Sequence, residues 1–127
     1  MIPVLTALGN PHEARIAALL GGSREVEIIR RCADLAELLA ASAVGLGSVA
    51  LVSHQLRGLD LAAIERLHRE GMRVVGVSFA TGPTGTDDAA QSWLLQIGVD
   101  DVVAATAELA EFESVVARVV MPVAAVR

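Results

Sequence analysis

The sequence has no lysine: all ten of its basic residues are arginine. A phosphate-binding P-loop ends in an invariant lysine, so nucleotide hydrolysis of that type cannot reside in these 127 residues. Tyrosine is also absent, and two Phe and one Trp leave little to stack on a flavin. The core must therefore be built from Ala, Val, Leu and Ile. A single cysteine, Cys32, excludes an internal disulfide and suits a reducing cytoplasm. It reads as a small buried hydrophobe. Positive charge is in short supply, and the net charge of −5 argues against a nucleic-acid surface, which needs clustered cations. Long apolar runs are missing too. The apolar-rich stretch Leu38 to Val52 is interrupted by Ser42, Gly45, Gly47 and Ser48 and falls short of the roughly 18 apolar residues of a spanning helix. Met1-Ile2-Pro3 lacks the basic start of an export signal. These absences predict a soluble cytoplasmic domain with no membrane insertion.

What is present is an alternation of short β-type runs with longer helical patterns. Strands are predicted at Val4–Leu8, Val26–Cys32, Val49–Ser53, Arg73–Phe79 and Asp101–Ala104. Helices are predicted at Pro11–Leu20, Asp34–Ser42, Leu61–Glu70, Asp87–Ile97 and Ala107–Val120. Asn10 as cap, Pro11 in the first turn and Glu13 three residues after the cap mark the first helix start. Gly21-Gly22, Gly71 and Gly98 mark helix ends. Five β-α units of this kind imply an α/β protein, three layers deep, with a parallel sheet covered on both faces.

Strand polarity orders the sheet. VLTAL, VALVS and VVGVS are nearly unbroken apolar runs, as expected of strands buried on both sides. VEIIRRC carries charge and DDVVA is short, both features of sheet edges. A doubly wound five-stranded sheet of order 2-1-3-4-5 follows, the flavodoxin/CheY-like arrangement. Ligands of that architecture gather at the carboxyl ends of the strands. The residues to inspect are therefore Leu8, Gly9 and Asn10, Ser53 and His54, Ser78, and Ala104 and Ala105. The Ala80–Thr86 segment, ATGPTGT, is expected to be mobile beside them.

Most reactive constellations fail on spacing. Ser53, His54 and Asp60 have the residue types of a hydrolytic triad, but adjacent residues at a strand end point to opposite faces. GPTGT lacks its lysine, and Gly45-Leu46-Gly47 precedes a strand instead of following one. His12 and His54 could border one crevice, but two separated histidines without carboxylate partners are not a metal signature. They are read as a first-turn surface residue and a partly buried loop residue. His68 lies in a polar run and is read as solvated. No cofactor and no metal ligand set is expected.

The strand VALVS running into Leu56-Arg57-Gly58-Leu59-Asp60, and the Gly98-Val99-Asp100-Asp101 entry into the last strand, resemble response-regulator receiver domains. Carried over on those two anchors, the resemblance places the family's acceptor aspartate on Ser53. Its acidic metal-binding pair falls around Leu8 and Gly9, with neutral Asn10 beside them. Its switch hydroxyl falls on Ser78, which matches, and its lysine on Ala105. The resemblance thus implies a receiver-like fold without receiver chemistry, and no enzyme.

The opening MIPVLTALGNPHEARIAALLGG and VEIIRRCADLAELLA are similar to the amino-terminal domains of actinobacterial septum-site-determining proteins, related to CpaE-type and MinD/ParA-like ATPases. In that group a degenerate receiver domain precedes a P-loop ATPase domain. The resemblance implies a pseudo-receiver domain over residues 1–121, and the start of a linker over residues 122–127. Its implied partner is the ATPase domain of the same longer polypeptide. Pro122 is expected to stop the last helix, with Val123–Arg127 trailing into that linker. The alternatives are a free-standing atypical response regulator and a small-ligand sensor using the His12/His54 crevice. Apolar residues late in the chain also suggest an interface on the fourth helix, fifth strand and fifth helix, serving the ATPase domain or a homodimer. Leu109, Phe112, Val116 and Val119 can cover the sheet, which leaves Trp93, Val115 and Val120 as candidate contact residues.

Overall fold

The computed structural model describes residues 1–9, 12–79 and 88–120. Ten elements alternate along the chain: β1 (Ile2–Ala7), α1 (His12–Leu20), β2 (Val26–Arg31), α2 (Leu35–Ala43), β3 (Val49–Ser53), α3 (Leu61–Arg69), β4 (Arg73–Ser78), α4 (Asp88–Gln96), β5 (Asp101–Ala104) and α5 (Leu109–Val120). The strands form one parallel sheet in the order β2-β1-β3-β4-β5, as strand polarity predicts. The Asn10 cap, Pro11, the Ala80–Thr86 loop, Asp87 as a helix start, Pro122 and the 123–127 tail lie outside the described residues.

Burial follows the alternation of the central strands. All five residues of β3 are buried. Val49 and Leu51 join Val4, Val75 and Val77 on the face covered by α1 and α5, where Ile16, Leu20 and Phe112 pack. Ala50 and Val52 join Leu5, Ala7 and Val74 on the opposite face, beneath Leu38, Ile64, Leu67 and Leu94 of α2, α3 and α4. A strand covered on both sides must be apolar at every position, which is what VALVS supplies.

The edge strand β2 behaves differently. Its register against β1 shifts between Val4, paired with Ile28, and Leu5, paired with Arg30, so Ile29 is an extra residue. This bulge leaves Ile29 40% exposed. It also turns Arg31 toward α1, where it pairs with Glu13. A bulge and charged side chains both blunt an open edge.

Local chemistry sets the helix boundaries. Asp34 caps α2 by accepting the Glu37 N–H at 2.8 Å, and Glu37 accepts the Ala33 N–H at 3.3 Å in return. Asp60 caps α3 through the Ala63 N–H at 2.9 Å. Such a cap contributes about 1 kcal/mol. The last helix begins at Leu109, two residues later than Ala107, because Ala107 N–H closes a turn onto the Ala104 carbonyl. Helical bonding starts only where the Glu108 carbonyl accepts from Glu111 and Phe112.

α5 corrects one expectation outright. Val115 is 3% exposed and sits in the core beside Phe112 and Val116, and Val120 packs partly buried against the same cluster. Positions 112, 115, 116, 119 and 120 form one wide helical stripe, so the valines expected at an interface complete the sheet-facing side.

Packing is close where α4 crosses β4. A methyl group on Gly76 would stand 2.8 Å from Leu94 Cδ1 and 3.2 Å from its Cβ. Gly76→Ala is expected to destabilise the fold by about 1–3 kcal/mol through overpacking. The urea midpoint should fall with an unchanged m-value. An unmoved midpoint would mean that Leu94 yields without cost.

Candidate functional site

The carboxyl ends of β1, β3, β4 and β5 lie together because the ladder continues one residue beyond the strands. His54 N–H donates to the Val77 carbonyl at 3.2 Å, and Ala105 N–H to the Ser78 carbonyl at 2.8 Å. The structure thus gathers Ser53, Ser78 and Ala105 as the order 2-1-3-4-5 requires. Leu8 is buried just past β1, and Gly9 is exposed with φ +75°, a left-handed conformation that glycine adopts without strain. Asn10 lies outside the described residues.

None of these strand-end positions offers an oxyanion. Ser53 is fully buried, and its Oγ accepts the Gln55 N–H at 2.9 Å in a local hydroxyl turn. Ser78 is 1% exposed, and its Oγ accepts from Gln91 Nε2 at 3.1 Å. Ala105 has no functional side chain to extend. Phosphoryl transfer to a side chain needs an activated nucleophile, hard oxygen ligands for Mg²⁺, and a cation for the developing charge. No group of three His, Cys, Asp or Glu residues that could hold a metal ion occurs among the described residues.

The residues of the notional triad are each committed elsewhere. Ser53 closes its own turn, His54 Nδ1 accepts the Phe79 N–H at 3.4 Å, and Asp60 caps α3. His68 is half-buried and pairs with Asp100, its Nε2 lying 2.8 Å from Oδ2, instead of standing free in solvent. Asp100 Oδ2 also accepts the Val74 N–H at 2.8 Å, which ties α3 to the start of β5.

His12 and His54 do border one place, but an aromatic ring stands between them. Phe79, the residue after Ser78, stacks on His12 with ring centroids 4.2 Å apart and lies 6.0 Å from His54. One turn along α1 from His12, Arg15 Nη2 donates to the Ala105 carbonyl at 2.8 Å. Sequence reasoning passed over both Phe79 and Arg15. The signal was available, since Arg15 follows His12 by three residues and so shares its side of α1. On the α2 side of the same strand ends, a hollow of about 240 Å³ is lined by Leu8, Gly9, Asp34, Gln55 and Arg57 among others. Its one carboxylate, Asp34, is occupied in capping α2.

Cys32 is 4% exposed, and burial pushes its thiol up from the ordinary value, with Glu37 adding to the effect. It is a packing residue.

No family model matches the chain, and no curated protein matches it in sequence. Solved structures match its fold. The signal receiver domain of the response regulator NarL from Mycobacterium tuberculosis superposes with a TM-score of 0.73 at 22% identity, over 92% of this chain and 94% of that one. The receiver domain of a sensor histidine kinase from Pseudomonas aeruginosa, which holds a magnesium ion in its active-site cleft, gives 0.71 at 20% identity, over 93% and 96%. The response regulator domain of CheB from Thermotoga maritima gives 0.67 at 14% identity, over 96% and 99%. The chain therefore has the CheY-like receiver fold.

Incubation with acetyl phosphate and Mg²⁺ should leave the mass of the protein unchanged, since Ser53 is buried and its hydroxyl engaged. A stoichiometric phosphoryl adduct would contradict this description of the site.

Proposed function

We propose that this chain is a non-catalytic, receiver-like regulatory module that acts by surface contact. Its partner is a MinD/ParA-like ATPase domain carried on the same longer polypeptide, in septum-site determination or pilus assembly. The observation that carries the non-catalytic part is Ser53, wholly buried at the end of β3 with its hydroxyl spent on Gln55. A switch that cannot accept a phosphoryl group must be read through its surface. The resemblance carried by MIPVLTALGNPHEARIAALLGG and VEIIRRCADLAELLA to septum-site-determining proteins supports the choice of partner.

The face expected to make contact is α4-β5-α5, anchored differently from the sequence expectation. On α4, Leu94 is buried while its neighbours Trp93 and Leu95 are 37% and 52% exposed. Across β5 and α5, Asp101 Oδ2 accepts from Arg118 Nε at 3.0 Å and Nη2 at 2.7 Å. An exposed tryptophan beside an exposed leucine and a polar rim is the usual composition of a contact centre.

Two measurements test the proposal. The reading frame should continue past Arg127 into a P-loop sequence, and a stop codon there would remove the tethered-ATPase reading. The chain should also bind that domain or itself, burying about 1,200 Å² or more. Replacing Trp93 and Leu95 by glutamate should weaken association by at least about 2 kcal/mol with circular dichroism unchanged. Undiminished binding by the double variant would rule out this face.

A further inference from the structure

The sheet ends on one side at β2, whose one paired neighbour is β1. Its outer edge therefore carries backbone N–H and C=O groups that no strand of the same chain covers. The first of these, the Val26 N–H, is taken by Ser23 Oγ at 3.0 Å, and beyond it the edge runs on to Arg31. Between this strand and α1 lies a hollow of about 400 Å³, with Ala17, Leu20, Gly21, Ile28 and Ile29 among its walls. Ile29 is the bulge residue, and it is 40% exposed.

The bulge decides which charges share a face. Glu27 pairs with Pro3, and Arg30 pairs with Leu5. Pro3 and Leu5 are two residues apart and so point the same way, toward the layer of α2, α3 and α4 in which Leu5 is buried. Glu27 and Arg30 are three apart, yet they share that face because Ile29 is an extra residue between them. Both are exposed, and neither side chain has an ion-pair or hydrogen-bond partner among the described residues. Arg31 pairs with Thr6 on the opposite face and is held there by Glu13 of α1.

We propose that β2 pairs antiparallel with β2 of a second copy of this chain, joining the two sheets across a two-fold axis. With the axis between Ile28 and Ile29, Glu27 of each copy lies opposite Arg30 of the other. A two-fold axis normal to the sheet keeps the faces matched, so both charge pairs form on the α2 side. Ile28 and Ile29 meet at the axis, beside the hollow along α1. A bulge and charged side chains deter an arbitrary strand, but here the charge order is its own complement. The features that blunt the edge thus select a second copy as its partner. Slipping the pair by one residue sets Glu27 against Arg31, which points to the other face and is bound to Glu13. This edge is the far one from β5, so the pairing does not depend on Trp93 or Leu95.

The test is sedimentation equilibrium of the whole chain up to about 1 mM, since pairing through one short strand makes a small, weak contact. The wild type should dimerise, with concentration-dependent amide shifts at Ile28, Ile29 and Arg30. Glu27→Arg and Arg30→Glu each set like charges opposite one another twice, and each should weaken the dimer roughly tenfold. The two exchanges combined should restore wild-type association, a recovery that a merely unfolded variant would not show. Both positions are exposed, so circular dichroism should stay unchanged throughout. A chain that stays monomeric at the highest concentration, single variants that dimerise like the wild type, or a combined variant that does not recover would overturn the pairing. A dimer lost on replacing Trp93 and Leu95 by glutamate, and insensitive to Glu27 and Arg30, would place the contact on α4 and overturn it equally.

Discussion

The structure depends on β3 being buried on both faces. Val49 to Ser53 pairs with β1 on one side and β4 on the other, and every one of its residues is buried. With helices above and below, the strand can carry no charge without a large desolvation cost. The parallel order then forces all crossovers to one hand and all strand carboxyl ends to one edge of the molecule. Whatever this protein binds or loses at that edge follows from this arrangement.

Ser53 shows how the constraint and the chemistry meet. A carboxylate at the end of a buried strand is costly unless a metal ion, a cation or hydrogen-bond donors compensate it. Here the end of β3 carries a hydroxyl that bonds to its own turn, and the ends of β1 and β5 carry Leu8 and Ala105. The site is neutral by composition and internally satisfied. Positive charge nearby comes from Arg15 of α1, which donates to the Ala105 carbonyl, and from Arg57, which lines the hollow on the α2 side.

Much of the fold was legible because it rests on local signals. Apolar runs identified the inner strands, and charge and shortness identified β2 and β5 as edges; the Asp34 and Asp60 caps were not read from the sequence. What sequence alone missed depends on relations across space. The Ile29 bulge arises from pairing with β1, and no local pattern encodes it. Val115 read as surplus because four apolar positions already sufficed for a narrow stripe, whereas α5 lies close enough to the sheet to bury a wider one. Gathering Ser53, Ser78 and Ala105 at one edge followed from strand order alone. Finding Phe79 between His12 and His54 required side-chain directions, which order does not supply.

The central proposal is that the strand ends of this receiver fold hold no Mg²⁺, since the described positions Leu8, Gly9, Ser53, Ser78 and Ala105 are all uncharged. A Mg²⁺ titration followed by amide NMR addresses it directly. The account predicts no saturable shift at Leu8, Gly9, Ser53 or Ser78 at millimolar Mg²⁺. Saturable shifts centred on those residues would contradict it.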